Sequence, residues 1–103
     1  MALSHVGVAE QSALDSGSMT VTHPVTIAAD DVVFLAYAAG DDSSALSLTM
    51  TTSGYTALTD VLWANDTDDA MLRVFRKVMP STPDSTAVTA AAGGGTDCSV
   101  AAV

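Results

Sequence analysis

The chain has 103 residues, nearly half of them apolar and 15 % charged, long enough for one domain that buries roughly 60 to 70 % of its unfolded surface and too short for two. The polar remainder is mostly Ser and Thr, which excludes a disordered chain and argues for a β-sandwich over a helical bundle. Twelve acids against three bases give a formal net charge of -9, and such a surface repels phosphate backbones and anionic lipid, so neither nucleic acid nor membrane is an expected partner.

The N-terminus, MALSHVGVAE, has no basic segment followed by an apolar one, so no signal peptide is expected and synthesis in the cytoplasm is. No apolar stretch approaches the roughly 18 to 20 residues of a membrane-spanning helix. Leu3 to Val8 predicts a short first strand with Val6 and Val8 on one face. Ala9 to Ser18 follows as a polar loop, in which Asp15-Ser16-Gly17-Ser18 is turn chemistry. Met19 to Ile27 alternates, with Met19, Val21, Val25 and Ile27 on one face and Thr20, Thr22 and Thr26 on the other, the pattern of a half-buried strand. His23 falls on the apolar face, and Pro24 removes a ladder donor, which predicts an edge strand or a bulge.

Asp31 to Ala39, DVVFLAYAA, is the longest apolar run. Short, β-branched and bracketed by turn residues, it predicts a strand buried on both faces, with Phe34 in the core. Gly40 to Ala45 is read as a loop carrying Asp41 and Asp42, and Leu46 to Thr51 as an amphipathic strand presenting Leu46, Leu48 and Met50 on one face. Thr52-Ser53-Gly54 predicts a tight turn. Tyr55 to Trp63 follows as a strand on which Tyr55, Ala57, Val61 and Trp63 share a face, which reads as core. Asn65 to Asp69 is an Asx-rich turn, Ala70 to Met79 a strand long enough to cross the sheet, and Pro80 to Ser85 a loop that ends it. Thr86 to Ala91 is a further strand, Gly93 to Asp97 a turn and Cys98 to Val103 the start of one more. The chain ends within that apolar run, so the strand is expected to continue beyond Val103 in a longer protein. About seven or eight strands with no credible helix predict a single all-β domain over 1–103, an antiparallel, jelly-roll-like β-sandwich.

Few residues suggest chemistry. Asp66, Asp68 and Asp69 alternate around one turn and offer hard oxygen ligands, but without the glycine and distal Glu of a calcium loop they read first as a solvated acidic turn, so no metal or other cofactor is expected. His5 and His23 are the available bases for a Ser-His-Asp arrangement, and no G-x-S-x-G segment presents a nucleophile, so no enzymatic activity is expected. Tyr37, Tyr55 and Trp63 are the residues able to stack on a sugar ring. Tyr55 and Trp63 are therefore glycan-stacking candidates, and a carbohydrate-binding module is the alternative function. Arg73, Arg76 and Lys77 hold all the positive side-chain charge within five residues. On a strand, Arg73 and Lys77 share a face with Phe75 while Arg76 points the other way, which suits salt bridges and edge protection and leaves the three as candidates for docking a partner. Cys98 stands alone, so no intrachain disulfide forms, and it reads as a small buried hydrophobe. Asn65-Asp66-Thr67 is a glycosylation sequon without a secretory signal to give it meaning.

Ala29-Asp30-Asp31-Val32-Val33-Phe34-Leu35, Ser53-Gly54-Tyr55-Thr56-Ala57-Leu58 and Arg73-Val74-Phe75-Arg76-Lys77-Val78, in that order and spacing, resemble the buried strand, the Gly-Trp-Thr turn and the arginine-bearing strand of a group of small phage virion and prophage tail-associated domains. The resemblance runs over nearly the whole chain. It departs at Asp30, where the family usually has Gly, and at Tyr55, where it has Trp. It implies a jelly-roll-like sandwich with a structural role in a tailed-phage virion, as a tail, fibre or head-decoration component attached to other virion proteins. Such modules are homo-oligomers, most often trimers, and the family brings no catalytic residues to carry over.

Overall fold

Among the residues described by the computed structural model, 7–14, 18–23, 27–41, 47–65, 68–92 and 98–102, the chain forms strands and no helix. The strands are β1 (Glu10–Leu14), β2 (Ser18–Thr22), β3 (Val32–Asp41), β4 (Ser47–Met50), β5 (Thr56–Asn65), β6 (Asp68–Val78), β7 (Thr86–Ala92) and β8 (Cys98–Ala102). All their pairings are antiparallel. One sheet has the order β1-β8-β3-β6-β5 and the other β2-β7-β4. First pairs with last, second with seventh and third with sixth, so the chain is nested like a long hairpin folded over itself, the jelly-roll order. β5 departs from that nesting by adding to β6 instead of to β4.

The core lies between the two sheets. Leu35, Tyr37 and Ala39 of β3 with Met71 and Phe75 of β6 face Met19 and Val21 of β2, Leu48 of β4 and Ala87 of β7. Alternation selects these residues: along β3 the odd positions Val33, Leu35, Tyr37 and Ala39 are buried, and each stands opposite an inward residue of β6, namely Lys77, Phe75, Arg73 and Met71. β2 lies at the edge of its sheet and ends at Thr22, short of the Ile27 expected from the alternation, with residues 27 and 28 carrying no strand; His23 is buried with Met19 and Val21.

Four readings of the sequence are corrected. β3 is not buried on both faces: Phe34 is 55 % exposed and Val32 49 %, because among the described residues one sheet covers it and these two positions face away from that sheet. β3 also runs on through Gly40 and Asp41, which continue the ladder opposite Ala70 and Asp69. The first described strand begins at Glu10, inside the stretch read as a polar loop, while residues 7–9 carry no strand. Pairing along β8 from Glu10↔Ala102 to Leu14↔Cys98 decides it, since an edge strand tolerates polar residues that its own propensity would not recommend. Finally, the face proposed for Tyr55, Ala57, Val61 and Trp63 is broken by a bulge between Ala57 and Thr59. The extra residue, Leu58, has no partner on β6, so from Thr59 onward the pairing register with β6 shifts by one. Trp63 therefore lies opposite Ala70, an exposed position of β6, while Ala57 lies opposite buried Phe75 and is itself exposed. The strand expected over Leu3 to Val8 otherwise falls on residues outside those described, as do the turns at 15–17, 42–46 and 93–97, the segment 24–26 and Val103.

The two faces of β3 make a direct prediction about stability. Leu35→Ala should cost about 2 to 5 kcal/mol, as for a fully buried aliphatic side chain. Phe34→Ala, one residue away on the open face, should cost less than about 1 kcal/mol. Denaturant melts of the two variants at low protein concentration check both.

Candidate functional site

Inward-facing cations on β6 need partners, because a buried charge without one is expensive. Arg73 and Lys77 find them across the sandwich. The Arg73 guanidinium donates from Nη1 to the Leu48 carbonyl of β4 at 2.5 Å, joining the two sheets. Lys77 is 8 % exposed; its Nζ donates to the Ser53 carbonyl at 2.8 Å and forms an ion pair with Asp84 in the loop before β7. The same ammonium stands 5.4 Å from the centroid of the Tyr55 ring, within cation–π range.

The 52–55 turn is shaped around this ammonium. Gly54 has φ +85, and a Cβ there would come within 3.1 Å of Lys77 Cε and 3.3 Å of Nζ, so the position requires glycine for both its backbone and its space. Asp84 also anchors the end of β2. Its carbonyl lies 2.9 Å from His23 Nδ1, which assigns the ring proton to Nδ1, and the His23 amide donates to the Ser85 carbonyl at 3.0 Å. One loop thus fastens β6, the 52–55 turn and β2 together at one end of the sandwich. Burial pushes the Tyr55 phenol up to about 12, with the Asp84 carboxylate acting in the same direction. The Tyr55 hydroxyl and His23 Nε2 are buried without a hydrogen-bond partner among the described residues.

The candidates named from sequence are distributed unevenly over this geometry. Lys77 and Arg73 point inward with Phe75, and Arg76 is exposed on the opposite face, the division that strand parity predicts. Tyr55 is half-buried with Lys77 beside its ring. Trp63 is placed by backbone register alone; its side chain, like those of Asp68, Asp69 and Cys98, is outside the described set, as are Asp66 and His5. Among the described residues, no group of three His, Cys, Asp or Glu side chains comes together, and His23 meets a backbone carbonyl instead of a carboxylate. The Lys77–Asp84–His23 cluster was not foreseeable as a unit, since its members come from three separate segments. Its one sequence signal is that two polar residues, His23 and Lys77, occupy apolar faces.

The opposite face of the five-stranded sheet is open. Val32 and Val78 form one register pair and Phe34 and Arg76 the next, with Thr56 beyond Arg76 on β5. Val32, Phe34, Leu58, Leu72 and Val78 are all exposed, and a shallow groove lined by Gly54, Thr56, Leu58, Arg76 and Val78 runs beside them. Arg76 has no hydrogen-bond or ionic partner among the described residues. Among the described residues, this face is apolar apart from Arg76 and Thr56 and carries no acid–base or nucleophilic pair. No protein-family model, curated protein or solved structure matches this chain.

The Tyr55 environment has a consequence for alkaline stability. The fold favours the neutral phenol, so the unfolded chain, with its phenol near 10, loses that proton first as pH rises. The contribution of Tyr55 should be complete below about pH 10 and should be lost progressively towards pH 12. Denaturant melts across this range should show a decline in the wild-type chain that is reduced in Tyr55→Phe.

Proposed function

We propose that the chain is a non-enzymatic structural domain of a tailed-phage virion, acting by packing against other virion proteins. The observation that carries this reading is the open outer face of β3 and β6, where Val32, Phe34 and Val78 are exposed in adjacent rows of the ladder and Leu72 is exposed further along it, on a chain otherwise rich in acids. Contiguous apolar patches of this kind on a folded domain mark protein contacts. A strand apolar on both sides is what a chain needs when one side is covered by its own second sheet and the other by another subunit.

Two local features support the resemblance to phage virion domains. Asp30 has φ +68, the left-handed conformation that glycine adopts without cost, and it is the position where that family carries Gly. Its turn is closed by the Asp31 amide donating to the Ala28 carbonyl at 3.3 Å and by the Asp31 carboxylate accepting from the Ala28 amide at 2.8 Å, so an Asx residue makes up locally for the missing glycine. Tyr55, at the family's Trp position, fills the space beside Lys77 with an aromatic ring. The jelly-roll nesting is the fold that the resemblance implies.

Mass spectrometry of phage particles purified from cells that encode the chain tests the proposal. The chain should be present at a fixed copy number per particle, and Phe34→Ser should lower its incorporation while leaving its melting temperature in dilute solution unchanged. Particles assembled without the chain would overturn the virion role.

A further inference from the structure

The two sheets differ in width, five strands against three. β2 packs over β1 and β8, and β4 packs over β3 and β6, so the second sheet stops short of β5. β5 makes its extensive contacts with β6 alone. In the nested order of a jelly roll the fifth strand would stand beside β4; here it joins β6 and leaves that position without a strand among the described residues. The exposure of β5 follows from this. Ala57 lies opposite buried Phe75, on the face turned towards the second sheet, and is itself exposed. Thr56 and Leu58 on either side of it are exposed as well, so at 56–58 neither face of β5 is covered by the described residues.

The place beside β4 suits a peptide backbone. β4 ends its sheet, so one side of Ser47–Met50 has no ladder partner, and an unpaired strand edge is a template for another strand. Arg73 reaches this strand from β6 and donates to the Leu48 carbonyl. A carbonyl oxygen accepts two hydrogen bonds, so the guanidinium fastens β4 without closing its edge. On β4, Leu48 is buried and Met50 half-buried, while Ser47 and Thr49 are exposed. A strand added beside it continues that division, with apolar side chains turned inward over Ala57 and polar ones turned out. The chain carries a formal charge of -9, with Asp60 at the β5 register position opposite Arg73, so bases among the polar residues of the occupant are favoured. We infer that the free edge of β4 takes up an extended segment of a partner protein, alternately apolar and polar with Lys or Arg among its polar residues, which completes a fourth strand of the second sheet over β5. This surface is separate from the open face of β3 and β6, and the inference holds or fails independently of the virion role.

Amide hydrogen exchange of the full chain is the test, with the acetylated and amidated peptide Lys-Val-Thr-Val-Lys-Val-Thr as the probe and the same peptide carrying Pro in place of its central Val as the control. The first peptide should slow the outward-pointing amides within 47–50 by about tenfold when present at about ten times its dissociation constant. The proline peptide, which keeps most of the side chains and lacks the central N–H, should protect them far less. Ala57→Arg, which fills the vacant place from β5 and repels a basic strand, should weaken binding of the first peptide by about tenfold or more with the melting temperature unchanged. Thr56→Arg, one residue away in the row of Arg76 on the outer face, should leave that binding nearly unchanged. Exchange at 47–50 that does not respond to the first peptide at millimolar concentration, equal protection by the proline peptide, or protection of β5 amides in place of those of β4 would overturn the inference. So would protection of 47–50 that appears without peptide and grows with protein concentration, which would make a second copy the occupant.

Discussion

The ladder between β3 and β6 is the constraint on which the structure depends. Ten consecutive register pairs, from Val32↔Val78 to Asp41↔Asp69, join the third and sixth strands, and β8 and β5 add to its two sides. Because side chains alternate across a sheet, this one register decides the surroundings of both strands at once. It places Leu35 against Phe75 and Tyr37 against Arg73 on the inner face, and Phe34 against Arg76 on the outer. A slip of one residue would exchange the core with the open face.

The register also brings two of the three bases into the sandwich. Burying cations is costly, and the chain offsets the cost with carbonyls and one carboxylate drawn from the opposite side: Leu48 for Arg73, Ser53 and Asp84 for Lys77. These contacts tie the two sheets together at positions where apolar packing alone would be less specific about which loop sits where. They also leave the exterior with a single free cation among the described residues, at Arg76, in the middle of apolar neighbours. The pairing that turns Lys77 inward is the one that turns Arg76 out.

Much of this could be read from the sequence, and the failures have physical causes. Met19, Val21 and His23 on one side of β2, Leu48 on β4, and the opposed directions of Arg76 and Lys77 all follow from period-2 alternation, which holds wherever the pairing is regular. The bulge at Leu58 was invisible because an inserted residue leaves no mark on composition, and it separated Tyr55 from the row of Trp63. β1 is not legible locally because its partner is β8, at the other end of the chain, and long-range pairing overrides weak local preference. Asp84 gave no sign of its role, since its partners Lys77 and His23 are met only when the loop folds back. Phe34 is the most instructive error. An unbroken apolar run predicts burial on both sides within one chain, yet it reports only that both sides are apolar; one of them is left uncovered by the described residues.

The two faces of β3 therefore differ, the odd residues building the core and Val32 and Phe34 standing exposed. The most direct measurement compares thiol labelling of Val32→Cys and Val33→Cys, each in a Cys98→Ser background, across a range of protein concentrations. Val32 is 49 % and Val33 7 % exposed, and valine to cysteine changes little volume in either place. The thiol at 32 should react with a maleimide as a surface group does. The thiol at 33 should react slowly at every concentration, through opening of the fold alone. Equal rates at the two positions would contradict the account.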